Sequence, residues 1–241
     1  MSLERISIEL RERLAHLGFG APVSCTYNPL DYAWVPHAEY LRRFGRGPRE
    51  IVFLGMNPGP WGMMQTGIPF GDVEMVRDWL GITGPVSRPA VELPSRAVTG
   101  FSCHRREISG SRFWGWARAS FGTPERFFAS FFVVNYCPLC FFSADGSNLT
   151  PDRLPGPMRD SLFSHCDPAL RAMVGILQPR LVIGIGRFAE GRARQALDGF
   201  PLAVGGAAHP SGANPRASRD WGGQMNATLQ KLGVAITRIP L

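Results

Sequence analysis

Apolar residues along this chain gather into four short unbroken runs: Ile51–Gly55 (IVFLG), Phe131–Asn135 (FFVVN), Leu181–Ile185 (LVIGI) and, more weakly, 202–208 (LAVGGAA). Unbroken rather than alternating hydrophobicity suits a strand covered on both faces, as in a parallel sheet. Between the runs, apolar positions recur with helical spacing over 4–17, 73–80, 111–121, 164–177, 187–197 and 224–232. Strand alternating with helix predicts an α/β protein, a three-layer α/β/α sandwich with a central, mainly parallel four-stranded sheet. No repeat, low-complexity tract or linker divides the 241 residues. The chain therefore reads as a single domain over 1–241, with 1–21 as an N-terminal helical extension.

One stretch, 127–144, holds 18 consecutive uncharged residues. It includes Ser130, Asn135, Tyr136, Pro138 and Ser143 and is rich in β-branched and aromatic types, so a buried strand running into a loop is expected, not a membrane span.

The segments that follow the strands carry the candidate chemistry. The first strand runs into GMNPGPWG, the second into NYCPL, the third into GRFAEG and the fourth into HPSGANPRA. Open parallel sheets bind ligands outside the carboxyl ends of their strands, and Asn57, Asn135 and His209 are expected at that edge. Two glycines and two prolines in 55–60 make a stiff loop that a ligand can approach closely; an ordinary Asn-Pro turn would use the same residues. The continuation through Gly62, Gly67 and Gly71 makes a long loop of the kind that shapes a pocket. Phe70 within it is either a core anchor or a stacking face. Asp72 suits a helix cap better than a catalytic carboxylate.

Asn135 ends the most apolar strand, where its carboxamide either ties down its own loop or pairs with adjacent donor and acceptor atoms of a heterocycle. His209 opens a loop of small, rigid and polar residues leading through Arg216 and Arg219 to Trp221. Such a loop either lies solvated on the surface or enters nucleic acid, with arginines or backbone amides on phosphates.

Composition narrows the partners. Hydrophobic residues at 44% and charged residues at 19% exclude a mostly disordered chain. A net charge of +7 suits a polyanion. Of the 26 basic residues only Lys231 is a lysine, which leaves almost no side-chain amine for Schiff-base chemistry. Five scattered cysteines fit a reducing compartment, and the charged, amphipathic start is no signal peptide. Cys137-Pro-Leu-Cys140 has metal-site spacing without a second such pair, so no metal is expected. Gly184-Ile-Gly186 precedes a helix as in a dinucleotide fold, but Ala189 replaces the third glycine; a close strand-to-helix turn is the better reading.

Taken together, GMNPGPWGMMQTGIPFGD (55–72), NYCPL (135–139) and HPSGANP (209–215) resemble the single-strand-selective monofunctional uracil-DNA glycosylases, within the uracil-DNA glycosylase superfamily. The likeness continues through YNPLDYAWVPH (27–37), VRDWLGITGPV (76–86), SGSRFWGW (109–116), NLTPDRLP (148–155) and VIGIGRFAEGRAR (182–194), covering most of the chain after about residue 22. It implies a uracil-DNA glycosylase-like fold and a cofactor-free enzyme that flips uracil, or 5-substituted or deaminated bases, out of DNA and hydrolyses the glycosidic bond without lyase activity.

By the resemblance, Asn57 positions the attacking water and His209 hydrogen-bonds the O2 of the base. Asn135 reads the base edge, Phe70 stacks on the ring, and backbone near Met56 and Gly59 completes the pocket. Gly59 stands where uracil-specific relatives have tyrosine, implying clearance beside C5 and 5-hydroxymethyluracil as a substrate. Ser211, Gly212, Asn214, Arg216 and Arg219 are the expected DNA contacts on single and double strands. Ala213 departs from the family's arginine, which puts strong duplex wedging by that loop in question. A monomer is expected, in the cytoplasm and nucleoid of a bacterial cell or the nucleus of a eukaryotic one, and not secreted. A non-catalytic binder of damaged DNA with the same fold is the rival reading.

Overall fold

The computed structural model describes residues 1–212 and 217–235. Strands β2 (Ile51–Gly55), β3 (Phe131–Asn135), β6 (Leu181–Ile185) and β7 (Ala203–Ala207) form a parallel sheet in the order β3-β2-β6-β7. The pairing is in step: Gly55 lies beside Asn135, and Leu54 beside both Val134 and Gly184. All four strands therefore end at one edge.

Helices cover both faces, as the unbroken apolar runs require. Phe53 and Phe131 point to one face, where Phe53 meets Phe113 and Trp116 of α5 (Ile108–Phe121) and Phe127 of α6 (Pro124–Ser130). On the other face Phe132 stacks on Tyr40 of α3 (Trp34–Phe44), and α8 (Arg187–Ala196) lies over β6. Truncating a fully buried ring such as Phe53 to alanine would cost about 3–5 kcal/mol. The α/β/α sandwich expected from the pattern is the observed fold.

Glycines explain why β7 reads weakly. A Cβ on Gly205 would lie 2.8 Å from Leu232, beyond the end of α9 (Ala217–Lys231), and one on Gly206 would overlap the Glu190 carboxylate of α8. A side chain on Gly184 would likewise overlap the backbone of Glu190. The Gly-Ile-Gly segment thus lets α8 pack directly on the sheet, as its reading as a close turn anticipates.

Several elements were not visible in the pattern. A second, antiparallel sheet joins β1 (Cys25–Tyr27), β4 (Cys140–Phe142) and β5 (Asn148–Leu149). The uncharged stretch 127–144 is therefore the end of α6, then β3, a loop and β4, and no described helix is long and apolar enough to cross a membrane. Helix α7 (Gly156–Leu177) starts eight residues before the expected position and runs through Pro168, and α9 begins at 217 with a kink at Asp220. Helix α1 (Leu3–Ala15) packs on α7 and buries Leu3, Ile6, Leu10 and Leu14 in the main core, as one layer of the sandwich.

Candidate active site

At the shared strand edge the loops enclose a cleft of about 370 Å³. Its walls include Met56, Asn57, Gly59, Phe70, Asn135, His209 and Ser211. These sequence-selected residues come from three strand ends, brought together because the strands are parallel and in register. Gly212 is exposed on the adjoining rim. Asn214 and Arg216 lie outside the described residues, as does Ala213, and so does the side chain of Arg219.

Asn57 donates from Nδ2 to the Leu139 carbonyl at 3.1 Å, which fixes the orientation of its amide. One N–H of the amide is engaged there and its orientation is set, so the acceptor Asn57 offers a cleft water is its carbonyl oxygen. Its loop is clamped from beneath by Gln65, which is fully buried. Gln65 donates to Pro60 and Ala97 at 3.1 Å each and accepts from Thr99 and Gly100 at 2.9 and 3.2 Å.

Asn135 and Phe70 meet over Gly55. A Cβ at position 55 would overlap Asn135 Oδ1 and stand 3.0 Å from Phe70 Cε2. The Asn135 amide donates to the Met63 sulfur at 3.2 Å, a weak acceptor that a ligand carbonyl can displace. The Phe70 ring stacks on Phe113 at 4.8 Å, so it is both core anchor and cleft wall. Its φ of 55° is left-handed, a conformation non-glycine residues adopt at a cost, and such outliers gather at functional sites. Asp72 is buried and caps the following helix by accepting from Met75 N at 3.3 Å, the role expected of it, and also accepts from Arg106 Nε and the Glu107 N–H at 3.0 Å each.

His209 Nδ1 accepts from the Ser211 N–H at 3.1 Å, which places the ring proton on Nε2. Burial lowers its pKa from the ordinary 6.5, so the imidazole is neutral at neutral pH. The loop is held by Arg112, whose Nη1 donates to the Pro210 and Ser211 carbonyls at 2.9 and 3.0 Å. Trp221 Nε1 adds a bond to the Ala208 carbonyl at 2.7 Å.

Glu107, Ser109, Asn148 and Thr150 complete the cleft and were not selected from sequence. Glu107 matters most, because a Cβ on Gly59 would overlap its Oε2 and one on Gly62 would lie 2.7 Å from its Cγ. The clearance expected beside Gly59 is therefore not empty on the Cβ side; a carboxyl fills it. Burial raises the Glu107 pKa, while the Trp61 and Ser109 N–H groups oppose the rise. A glycine pair facing a single carboxylate 45 and 48 residues further along the chain left no local signal. Among the described residues no cluster of His, Cys, Asp or Glu is arranged to hold a metal ion.

The chain belongs to the Uracil DNA glycosylase superfamily, whose family model matches residues 44–232. Among curated proteins, it is 49% identical over 229 residues to the Mus musculus "Single-strand selective monofunctional uracil DNA glycosylase", covering 94% of this chain and 82% of that protein. The Rattus norvegicus protein of the same description is 50% identical, with the same coverage. That is the narrower family whose motifs the sequence resembles. The crystal structure of wild-type Pedobacter heparinus SMUG2 shares the fold, with a TM-score of 0.70 over 97% of this chain and 99% of that one, at 18% identity.

Proposed function

We propose that this protein is a monofunctional DNA glycosylase that flips uracil into the cleft and hydrolyses its bond to deoxyribose, opening base excision repair. The observation that carries this reading is one cleft holding an asparagine amide anchored through one N–H and a neutral histidine with its proton on Nε2.

In the proposed reaction the carbonyl oxygen of Asn57 orients a water towards C1′. Asparagine is too weak a base to deprotonate that water, and an oxocarbenium-like sugar needs only a weak nucleophile. The C1′–N1 bond breaks with its electron pair passing to the base, and His209 Nε2–H donates to O2 as charge develops there. A placed donor of this kind is worth about 3–4 kcal/mol, and a neutral imidazole suffices as the electrophile. The water oxygen becomes the new C1′ hydroxyl, and its proton passes to the released base or to solvent. Phe70 stacking adds about 1–3 kcal/mol, and Asn135 reads the pyrimidine edge by exchanging the Met63 sulfur for a base carbonyl.

The absence of lyase activity follows from the amines. Lys231 ends α9 on the surface, and Met1 borders a groove with Glu9 and His165; neither lines the cleft. At C5 the Glu107 carboxyl beside Gly59 offers an acceptor to a 5-hydroxymethyl group and nothing to a methyl. The protein acts as a monomer, with Ser211, Gly212, Asn214, Arg216 and Arg219 on DNA.

The test is incubation with a uracil-containing oligonucleotide, followed by detection of free uracil and of the strand. Free uracil with an intact abasic strand supports the proposal. Binding without release would instead support a damaged-DNA-binding protein, and a cleaved strand would defeat the hydrolytic mechanism.

A further inference from the structure

The first turn of α5 contributes more than a wall to the cleft. Ile108 is 51% exposed and lies between Glu107 and Ser109, both of which line the cleft. Single exposed apolar side chains are ordinary on protein surfaces; what sets Ile108 apart is its place. A Cβ on Gly212 would lie 3.3 Å from its Cδ1, so Ile108 and the His209 loop together form one ridge at the mouth. Arg112 locks that ridge from below through the Pro210 and Ser211 carbonyls.

Basic groups flank it. The Arg105 guanidinium lies 4.3 Å from the ring centre of Trp61, within the loop that carries Asn57 and Gly59. Arg105 is exposed and makes no ion pair among the described residues. Arg96 approaches the same ring at 5.4 Å. Arg106, by contrast, is neutralised by Asp72 and Glu74. An apolar projection beside a base-sized cleft, flanked by an unneutralised arginine, matches how proteins hold open a duplex from which a base has left: an aliphatic wedge enters the stack while cations hold phosphates.

We propose that Ile108 enters the base stack of duplex DNA beside the flipped nucleotide, while Arg105, braced on Trp61, holds a neighbouring phosphate. This rests on the function proposed above and assigns the wedge to the side chain that opens α5 rather than to one at position 213. A single strand has no opposing stack to keep apart, so the contribution of Ile108 is specific to duplexes.

The experiment compares wild type, Ile108→Ala and Ile108→Leu in single-turnover release of uracil from a U·G duplex and from the same strand alone. A 2-aminopurine next to the uracil reports unstacking. Ile108→Ala should lower the duplex-to-single-strand rate ratio about tenfold and shrink the fluorescence rise, with Ile108→Leu within about threefold of wild type. Arg105→Ala should reduce the salt dependence of duplex binding by about one counterion. An unchanged rate ratio in Ile108→Ala, with wild type active, would overturn the wedge and leave the glycosylase reading standing. Wild type inactive on both substrates would overturn both.

Discussion

Acidification should weaken the fold through one residue in particular. His37 is buried on α3, where Nδ1 donates to the Gly67 carbonyl at 2.7 Å while Nε2 lies 3.5 Å from Ser7 Oγ on α1. It therefore ties the loop that carries Asn57 and Phe70 to the helical layer behind it. Burial pushes its pKa from 6.5 to about 4, against a smaller opposing effect of the Gly67 carbonyl. Because the folded value is the lower one, the unfolded chain binds more protons between these limits. The stabilisation is thus complete above pH 6.5 and is lost progressively as pH falls towards 4. Between pH 7.5 and 5 the loss works out at about 2 kcal/mol.

The assay is urea unfolding of wild type and His37→Asn at both pH values; the asparagine amide nitrogen takes the place of Nδ1 and can still donate to Gly67 but does not titrate. Wild type should lose about 2 kcal/mol more than the variant. The contribution of His209, also depressed by burial, is common to both proteins and cancels. Identical losses in the two proteins would mean that His37 is not the group whose protonation weakens the fold.

Gly55→Ala places a methyl on the Asn135 amide and against Phe70; excision should fall about a hundredfold with discrimination against cytosine reduced, measured by base release from paired oligonucleotides. His209→Ala should slow the chemical step about a hundredfold or more at saturating DNA. In wild type the lowered His209 pKa should put the midpoint of the acid decline in rate below 6.5, because protonation of Nδ1 removes the acceptor of the Ser211 N–H. Glu107→Ala should lower the release of 5-hydroxymethyluracil relative to uracil about tenfold in competition assays; an unchanged ratio would remove Glu107 from recognition of the C5 side.

The sheet was legible because its strands are buried on both faces, which leaves unbroken apolar runs, and parallel connection puts their ends at one edge. Asn57, Asn135 and His209 share a cleft for that reason alone. Contacts made across long separations were not legible. Glu107 fills the space beside Gly59 from the start of α5, and Gln65 makes four bonds to groups up to 35 residues away; neither has a local pattern to betray it. Helix α3 was hidden by Pro36 and the buried His37, and the small antiparallel sheet by the shortness of its strands.

The proposed mechanism requires Asn57 to act upon the reacting bond rather than to hold DNA. Single-turnover release of uracil by Asn57→Ala, measured beside its affinity for the same oligonucleotide, addresses this directly. A rate lowered about a hundredfold or more with affinity within about threefold of wild type is the predicted result. A rate equal to that of wild type, or a loss wholly explained by weaker binding, would contradict it.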